Sequence, residues 1–201
     1  MSNVTYMKDD KLFSYKEIVE KDAMSSTGLL KAVCFAGHCT NKLCGCDYEE
    51  IISKVAHEVL QLYKLGYRKF INGGAQGFDQ LAFRAVKKVK CKYKIKNIIN
   101  SVYVPFVGQE SCWSETGEFS KQEWYNMLDA ADEVRIVNDK ILPSNPHYDI
   151  ARALDELNKA MLRDSSILVA WYKNSSEGYT LSCIKEALML GMEVINLCDT
   201  D

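Results

Sequence analysis

Short apolar runs rich in Val, Ile, Phe and Tyr alternate along the chain with longer segments in which apolar residues recur at the helical period. The apolar runs predict strands at residues 31–36, 69–72, 98–104, 133–137, 166–172 and 193–197. The helical segments predict helices at residues 48–65, 78–88, 121–131, 149–163 and 177–190. Such alternation is typical of a parallel sheet. It therefore predicts an α/β, Rossmann-like three-layer sandwich with a mostly parallel six-stranded sheet and helices on both faces.

The first 30 residues lie outside this alternation. Residues 12–22 have the pattern of a short amphipathic helix, and residues 25–28 (Ser-Ser-Thr-Gly) have the composition of a linker. We expect residues 1–30 to form an arm or a short helix that packs on the sheet edge, stays flexible or contacts a partner. Residues 31–201 are expected to form the α/β domain.

Composition and the first residues of the chain indicate in which cellular compartment the protein is expected. The chain has 201 residues, of which 47% are hydrophobic and 26% charged, as in soluble globular domains. Its apolar runs fall short of the ~20 residues that cross a bilayer, and its first residues lack the apolar core of a secretory signal. We therefore expect a cytoplasmic protein without a membrane partner. The eight cysteines are expected to be reduced thiols, because disulfide frameworks belong mainly to small secreted domains.

Charge bears on nucleic-acid binding. The formal net charge of −2 argues against a nucleic-acid partner, since such domains usually carry a strong basic excess. Six lysines do cluster between residues 87 and 96. We interpret them as the solvated end of a helix and the following loop, in preference to an electrostatic patch that attracts phosphates.

The segment from Phe70 to Asp79 carries the strongest functional signal, because a predicted strand runs into a predicted helix through three glycines. Gly73, Gly74 and Gly77, with Ala75 and Gln76 between them, allow a tight turn and close approach of a ligand to the backbone. The unpaired N–H groups of the following helix suit a phosphate. The G-G-x-x-G spacing is neither the dinucleotide fingerprint nor a P-loop. Asp79 either supports the helix N-terminus or accepts hydrogen bonds from ribose hydroxyls.

Two further strand ends carry candidate binding groups, and ligands of open parallel sheets bind at the carboxyl ends of strands. The first strand leads into Gly37 and His38, where the histidine is either a solvated or capping residue or a functional one. The fifth strand ends at Trp171, which is either a stacking surface for a base or part of the core. The turn after it offers Ser175, Gly178 and Thr180 as backbone and hydroxyl donors.

Neither a metal site nor a catalytic group is predicted, and no cofactor is expected. His38, Cys39, Cys44 and Cys46 form one tight cluster without the second, spaced pair that structural zinc sites typically have. The carboxylates Asp129, Asp132, Glu133 and Glu177 are expected to cap helices or to face solvent.

These turns resemble motifs of the SLOG superfamily, named for its Smf/DprA and LOG members, and of its YpsA-like branch in particular. Phe35-Ala36-Gly37-His38 with Asn41-Lys42-Leu43 resembles "TGHRPxKL", and residues 71–79 resemble "SGGAxGxD". Four more segments resemble "IPFxGQExxW" (with Pro105 and Phe106), "ADEV", "RNxxMVDxSD" (with Asn158) and "AVWxGxxGGT". The resemblance covers residues 31–197. The chain departs from these motifs at Cys39, Leu157 and Tyr179, which replace two arginines and a glycine.

The resemblance implies a nucleotide-binding domain over residues 31–201, often in homo-oligomers, and these ligand-binding residues: Gly37, His38, Asn41, Lys42, Gly73, Gly74, Ala75, Gln76, Gly77, Asp79, Pro105, Phe106, Asn158, Trp171, Ser175, Gly178 and Thr180. The leading hypothesis is a sensor or sequestering protein for a nucleotide-derived, phosphate-bearing signal, for example in bacterial or phage immune signalling. An alternative is a hydrolase that cleaves the N-glycosidic bond of nucleoside monophosphates. LOG-type enzymes use "PGGxGTxxE" for that reaction, and the position of its glutamate is Cys183 here. A second alternative is single-stranded DNA binding, as in DprA.

Overall fold

The computed structural model describes residues 5–8, 11–14, 31–138, 146–173 and 178–198. Its strands are β1 (Thr5–Lys8), β2 (Lys11–Ser14), β3 (Ala32–Gly37), β4 (Lys69–Asn72), β5 (Ile99–Phe106), β6 (Glu133–Asn138), β7 (Ile167–Trp171) and β8 (Glu193–Asn196). The first two strands form an antiparallel pair. The other six form one parallel sheet with the order β6-β5-β4-β3-β7-β8. The predicted Rossmann-like α/β fold is thereby confirmed.

The helices are α1 (Tyr48–Lys64), α2 (Phe78–Tyr93), α3 (Lys121–Ala130), α4 (Pro146–Arg163) and α5 (Tyr179–Met189), with a short 3-10 helix at Thr40–Lys42. The helices pack on both faces of the sheet. The side chains of β3 show which helix lies on which face, because successive residues of a strand point to opposite faces. Val33 and Phe35 pack in one core with α1 and α2. Cys34 and Ala36 pack in the other with α4 and α5. The central strand is thus buried on both sides, which explains its continuous apolar run.

The expectations for two segments need correction. The predicted helix at 12–22 does not begin where expected, because β2 occupies Lys11–Ser14, and residues 15–22 lie outside the described residues. Helix α2 continues to Tyr93, beyond the predicted end at residue 88. It continues because Val89 is still part of the buried face, so several of the clustered lysines lie on the last turns of the helix. Lys88 and Lys90 form ion pairs there with Glu49 and Asp132.

The order of the strands determines where a ligand can bind. From β3 the chain builds outward through β4, β5 and β6, then crosses over through α4 to β7 on the other side of β3. The connections therefore diverge between β3 and β7, and this topological switch point leaves a crevice at the carboxyl ends of the two strands. Among the described residues, no helix combines the length and apolar character needed to cross a bilayer.

Candidate functional site

A cleft of about 350 Å³ opens at the switch point, between the ends of β3 and β4 and the helices α4 and α5. Eight of the predicted ligand-binding residues line it: Gly37, His38, Lys42, Ala75, Asp79, Asn158, Gly178 and Thr180. Its remaining lining residues are Phe35, Ala36, Cys39, Leu154, Leu157, Met161, Tyr179 and Cys183. The cleft thus brings together residues from all three predicted turns, and it adds an apolar wall from α4.

The backbone of the β3 turn ties the site to its neighbouring strands. His38 N–H donates to the carbonyl of Trp171 at 3.2 Å, and the His38 carbonyl accepts from Phe78 N–H at 3.1 Å. The Thr180 hydroxyl donates to the carbonyl of Gly37 at 2.9 Å, so α5 is anchored to the same turn. These hydrogen bonds fix the first turns of α2 and α5 relative to β3. The N-terminal ends of both helices therefore border the cleft, where unpaired N–H groups favour an anion.

His38 is a neutral, positioned group and not a solvated one, because only 4% of its surface is exposed. Its Nε2 atom lies 3.0 Å from the backbone nitrogen of Lys173 and 3.1 Å from the backbone carbonyl oxygen of the same residue. With the ring proton on Nδ1, Nε2 accepts from the Lys173 N–H. Burial lowers the pKa of His38, and the nearby charge of Lys42 acts in the same direction, while the hydrogen bond with the Lys173 backbone acts in the opposite one. The imidazole therefore carries no charge at neutral pH, and it holds the chain that leaves β7.

Asp79 stabilises the turn before α2 and also lines the cleft. Its Oδ2 atom accepts from Ala75 N–H at 3.2 Å, which stabilises the turn before α2. The carboxyl group is buried and also lines the cleft. Burial raises the pKa of Asp79 to about 7, although hydrogen bonds from the backbone of Ala75 and Gly73 act in the opposite direction. This carboxyl group can therefore exchange a proton near neutral pH, which is an unusual property for an aspartate.

The glycines of the turns are explained mainly by internal packing. A Cβ atom on Gly77 would lie 2.7 Å from the His38 carbonyl oxygen, and the residue has φ +106°. Gly74, with φ +66°, packs against Trp124, and its N–H donates to the Asn72 side chain. A Cβ atom on Gly73 would lie 2.9 Å from Oδ2 of Asp79. The sequence signal was correct about close approach, but the approaching groups belong to the protein itself.

Several predicted binding residues lie away from the cleft. Trp171 is 7% exposed and stacks on Phe78 with ring centroids 6.3 Å apart, so it belongs to the core. Gln76 donates from its amide to the Phe119 carbonyl. Asn41 accepts from the Cys39 thiol at 2.9 Å on the surface. Pro105 and Phe106 end β5 and do not line the cleft.

Ser175 lies outside the described residues, so its predicted role stays a prediction.

The apolar wall of the cleft was not predicted from the sequence. Leu154, Leu157 and Met161 of α4 line the cleft, but on the sequence they form part of an ordinary buried helix face. In the sequence, only their spacing of three and four residues indicates that they lie on one face of the helix. Asn158 interrupts this face, and its amide makes no hydrogen bond within the described residues. That polar residue beside apolar neighbours is the one signal in the helix that could have indicated a binding surface.

Cys183 lies in the cleft where the LOG-type motif has its glutamate. It is buried, and burial strongly raises the pKa of its thiol. The side chain therefore supplies neither a carboxylate nor a thiolate at neutral pH. Within the part of the chain that the structure describes, no three His, Cys, Asp or Glu residues are grouped so that they could hold a metal ion.

Comparisons with known proteins agree with the resemblance. The sequence profile YpsA, described as the YspA SLOG family, matches residues 45–192. The uncharacterized SPbeta prophage-derived protein YoqJ of Bacillus subtilis (strain 168) is 34% identical over 125 residues, which cover 59% of this chain and 68% of that protein. The X-ray structure of TM1055 aligns with a TM-score of 0.45 and 17% identity over 82% of this chain and 72% of that one, a likeness too low to support an argument. The matched residues 45–192 include the turns before α2 and α5, whereas Gly37, His38 and Lys42 precede them.

Proposed function

Because the chain belongs to the YspA SLOG family, we propose that the cleft at the switch point binds a nucleotide-derived, phosphate-bearing ligand, as a sensor or sequestering protein. The supporting observation is the convergence of two helix N-termini, Lys42 and an apolar wall on one cleft. The two helix N-termini and Lys42 suit a phosphate group, and the apolar wall of α4 suits a nucleobase. The volume of about 350 Å³ lies at the low end of the usual range of ligand sites, which suits one nucleotide unit.

The lining residues suggest how the ligand is oriented. Lys42 lies beside the first turn of α5, since its Nζ atom would be 3.7 Å from a Cβ atom on Gly178. Lys42 and the N-terminus of α5 form the electropositive end of the cleft, where the phosphate binds. Asp79, on the β4 side of the cleft, accepts hydrogen bonds from the ribose hydroxyls. The base packs against Leu157 and Met161 of α4.

Binding without turnover is favoured by the chemistry of Cys183. This buried thiol occupies the position of the carboxylate that assists departure of the base in LOG-type enzymes. Its protonated sulfur can neither stabilise the cationic sugar of the transition state nor act as a base. Catalysis by that route therefore lacks its central group.

A second candidate, an N-glycosidic hydrolase, is favoured by one observation. The Asp79 carboxyl group lines the cleft and has a pKa of about 7, close to the optimum for a general acid at neutral pH. As a hydrolase, the protein would use Asp79 to protonate the departing base. Substitution of Asp79→Asn would then abolish release of base but retain binding.

The biological setting is also a proposal. YoqJ is described as prophage-derived, which fits a setting in bacterial or phage immune signalling for this chain. All eight cysteines are free thiols, which fits a reducing cytoplasm. We expect the protein to act there as a homo-oligomer.

Incubation with nucleoside monophosphates, ADP-ribose and cyclic nucleotides distinguishes the two candidates. After the bound fraction is isolated and the protein denatured, the released compounds are separated by chromatography. A binding protein returns one compound unchanged in stoichiometric amount, whereas a hydrolase returns free base and a ribose phosphate. Failure of the whole panel to bind at micromolar concentration would contradict both.

A further inference from the structure

A second, smaller cavity of about 70 Å³ lies between α2 and α3, outside the nucleotide cleft. Gln80, Arg84 and Lys87 line it from α2, where their spacing of four and three residues places them on one helix face. Glu123 and Asn126 line it from α3. No residue of this cavity lines the nucleotide cleft. The cavity is therefore a separate candidate site.

The amide of Gln80 indicates that the cavity has an occupant. Gln80 is 2% exposed, and both its Nε2 and its Oε1 atoms are buried without a hydrogen-bond partner within the described residues. A buried amide without partners is costly, so such groups are normally paired with protein, water or ligand. Because one atom donates and the other accepts, a matching occupant must both accept and donate hydrogen bonds.

The charges around the cavity favour an anion. Arg84 is fixed by Glu118, and its Nη2 atom also lies 3.4 Å from Oε2 of Glu123. This contact offsets the negative charge of Glu123, which in addition accepts from the Asn126 amide at 3.1 Å. Lys87 has no hydrogen-bond or ion-pair partner within the described residues. Of the charges that line the cavity, those of Arg84 and Lys87 are positive and that of Glu123 is negative, which sums to +1, while Glu118, the second partner of Arg84, lies outside the lining.

We propose that this cavity is a second ligand site, which binds one small, protonated oxyanion of the phosphate class. Its oxygens accept from the Gln80 Nε2 and the Lys87 ammonium, and its P–OH group donates to Gln80 Oε1. The volume of about 70 Å³, a fifth of that of the nucleotide cleft, suits one small tetrahedral anion. The proposal is independent of the function proposed for the larger cleft.

Nuclear magnetic resonance tests the site through the side-chain amide of Gln80. Inorganic phosphate is titrated into the ¹⁵N-labelled full chain at pH 7 and constant ionic strength, with chloride as the reference. We expect saturable shifts of the Gln80 NH₂ signals, and at least about tenfold weaker binding of phosphate to Lys87→Gln, because a charge-assisted hydrogen bond is lost. Sulfate, which carries no proton at pH 7, is expected to bind several-fold more weakly because Oε1 stays unpaired.

Control variants test whether the Gln80 shifts arise from phosphate in this cavity or from phosphate bound elsewhere. Lys88→Gln removes a neighbouring charge that pairs with Glu49 on α1, and Lys42→Gln alters only the nucleotide cleft. Both should retain the Gln80 shifts. Gln80→Leu should bind phosphate at least about tenfold more weakly by calorimetry without loss of stability, since it removes an unpaired amide. If that variant fails to fold, Lys87→Gln carries the test. Shifts that do not saturate, or that are equal in wild type and Lys87→Gln, would overturn the proposal.

Discussion

A Cβ atom on Gly37 would lie 2.3 Å from Cγ of Phe78, so the first turn of the site and the first residue of α2 are in direct contact. Phe78 in turn stacks on Trp171 of β7 and packs edge-to-face on Phe35 of β3. The absence of a side chain at Gly37 thus lets the aromatic core extend to the floor of the cleft. This packing holds the three binding turns in register.

We therefore predict that Gly37→Ala destabilises the fold by about 1–3 kcal/mol, because the added methyl group overpacks the core. The free energy of unfolding from urea titration measures the effect. The double variant Gly37→Ala/Phe78→Leu provides the control. If the methyl group acts through Phe78, the double variant loses less stability than the sum of the single variants. Strict additivity would show that Phe78 does not transmit the effect.

The raised pKa of Asp79 predicts a dependence of stability on pH. The folded state holds this proton up to a pH of about 7, whereas the unfolded chain releases it near 3.8. Between these values the folded state binds more protons, so the contribution of Asp79 to stability falls as pH rises. The difference corresponds to up to about 4 kcal/mol between pH 4 and pH 8.

Asp79→Asn isolates this contribution, because its amide oxygen can still accept from Ala75 N–H. We expect the variant to gain stability relative to wild type as pH rises from 4 to 8. Urea titrations of both proteins across that range measure the gain. A constant difference between them at all pH values would show that Asp79 is ionised normally.

The sequence predicted the parts of the site that depend on neighbouring residues, but not those that depend on contacts between residues far apart in the chain. The turns that contain Gly37 and Gly178 were visible locally, because an apolar run ends at or before each turn and turn residues follow. By contrast, Trp171 proved to be core and Gln76 bonded to Phe119, since each contact joins elements far apart in the chain. The role of Met161 depended on the crossover of α4, which no local pattern shows.

Lys42 is predicted to supply the positive charge for the phosphate. Replacement by Gln should weaken binding of the ligand identified in the panel by about 10–100-fold, as expected for loss of one charge-assisted hydrogen bond. Because Lys42 is exposed, the free energy of unfolding should change by no more than about 0.5 kcal/mol. Lys64→Gln, an equal charge change at the end of α1, is the control in isothermal titration calorimetry. Equal affinities of the two variants would exclude Lys42 from the site.

Ligand affinity should depend on the ionisation of Asp79. A carboxylate accepts two ribose hydroxyls, whereas the protonated form does so less well, so binding favours the ionised group. With a pKa of about 7 in the free protein, affinity should fall about tenfold between pH 8 and pH 6. Asp79→Asn should bind more weakly at pH 8 and show little of this dependence. Affinity that rises on acidification would instead place the phosphate beside Asp79.

Methyl NMR of ¹³C-methionine-labelled protein tests whether the switch-point cleft binds the nucleotide. Met161 lies in the cleft wall, whereas Met189, which is 81% exposed at the C-terminal end of α5, lines neither cavity and serves as the internal reference. During titration with nucleoside monophosphates, ADP-ribose and cyclic nucleotides, we expect a saturable shift of the Met161 methyl signal with at least one compound, while the Met189 signal stays unchanged. An unchanged Met161 signal throughout the panel, or equal shifts of both methyl groups, would contradict binding of the nucleotide in the cleft.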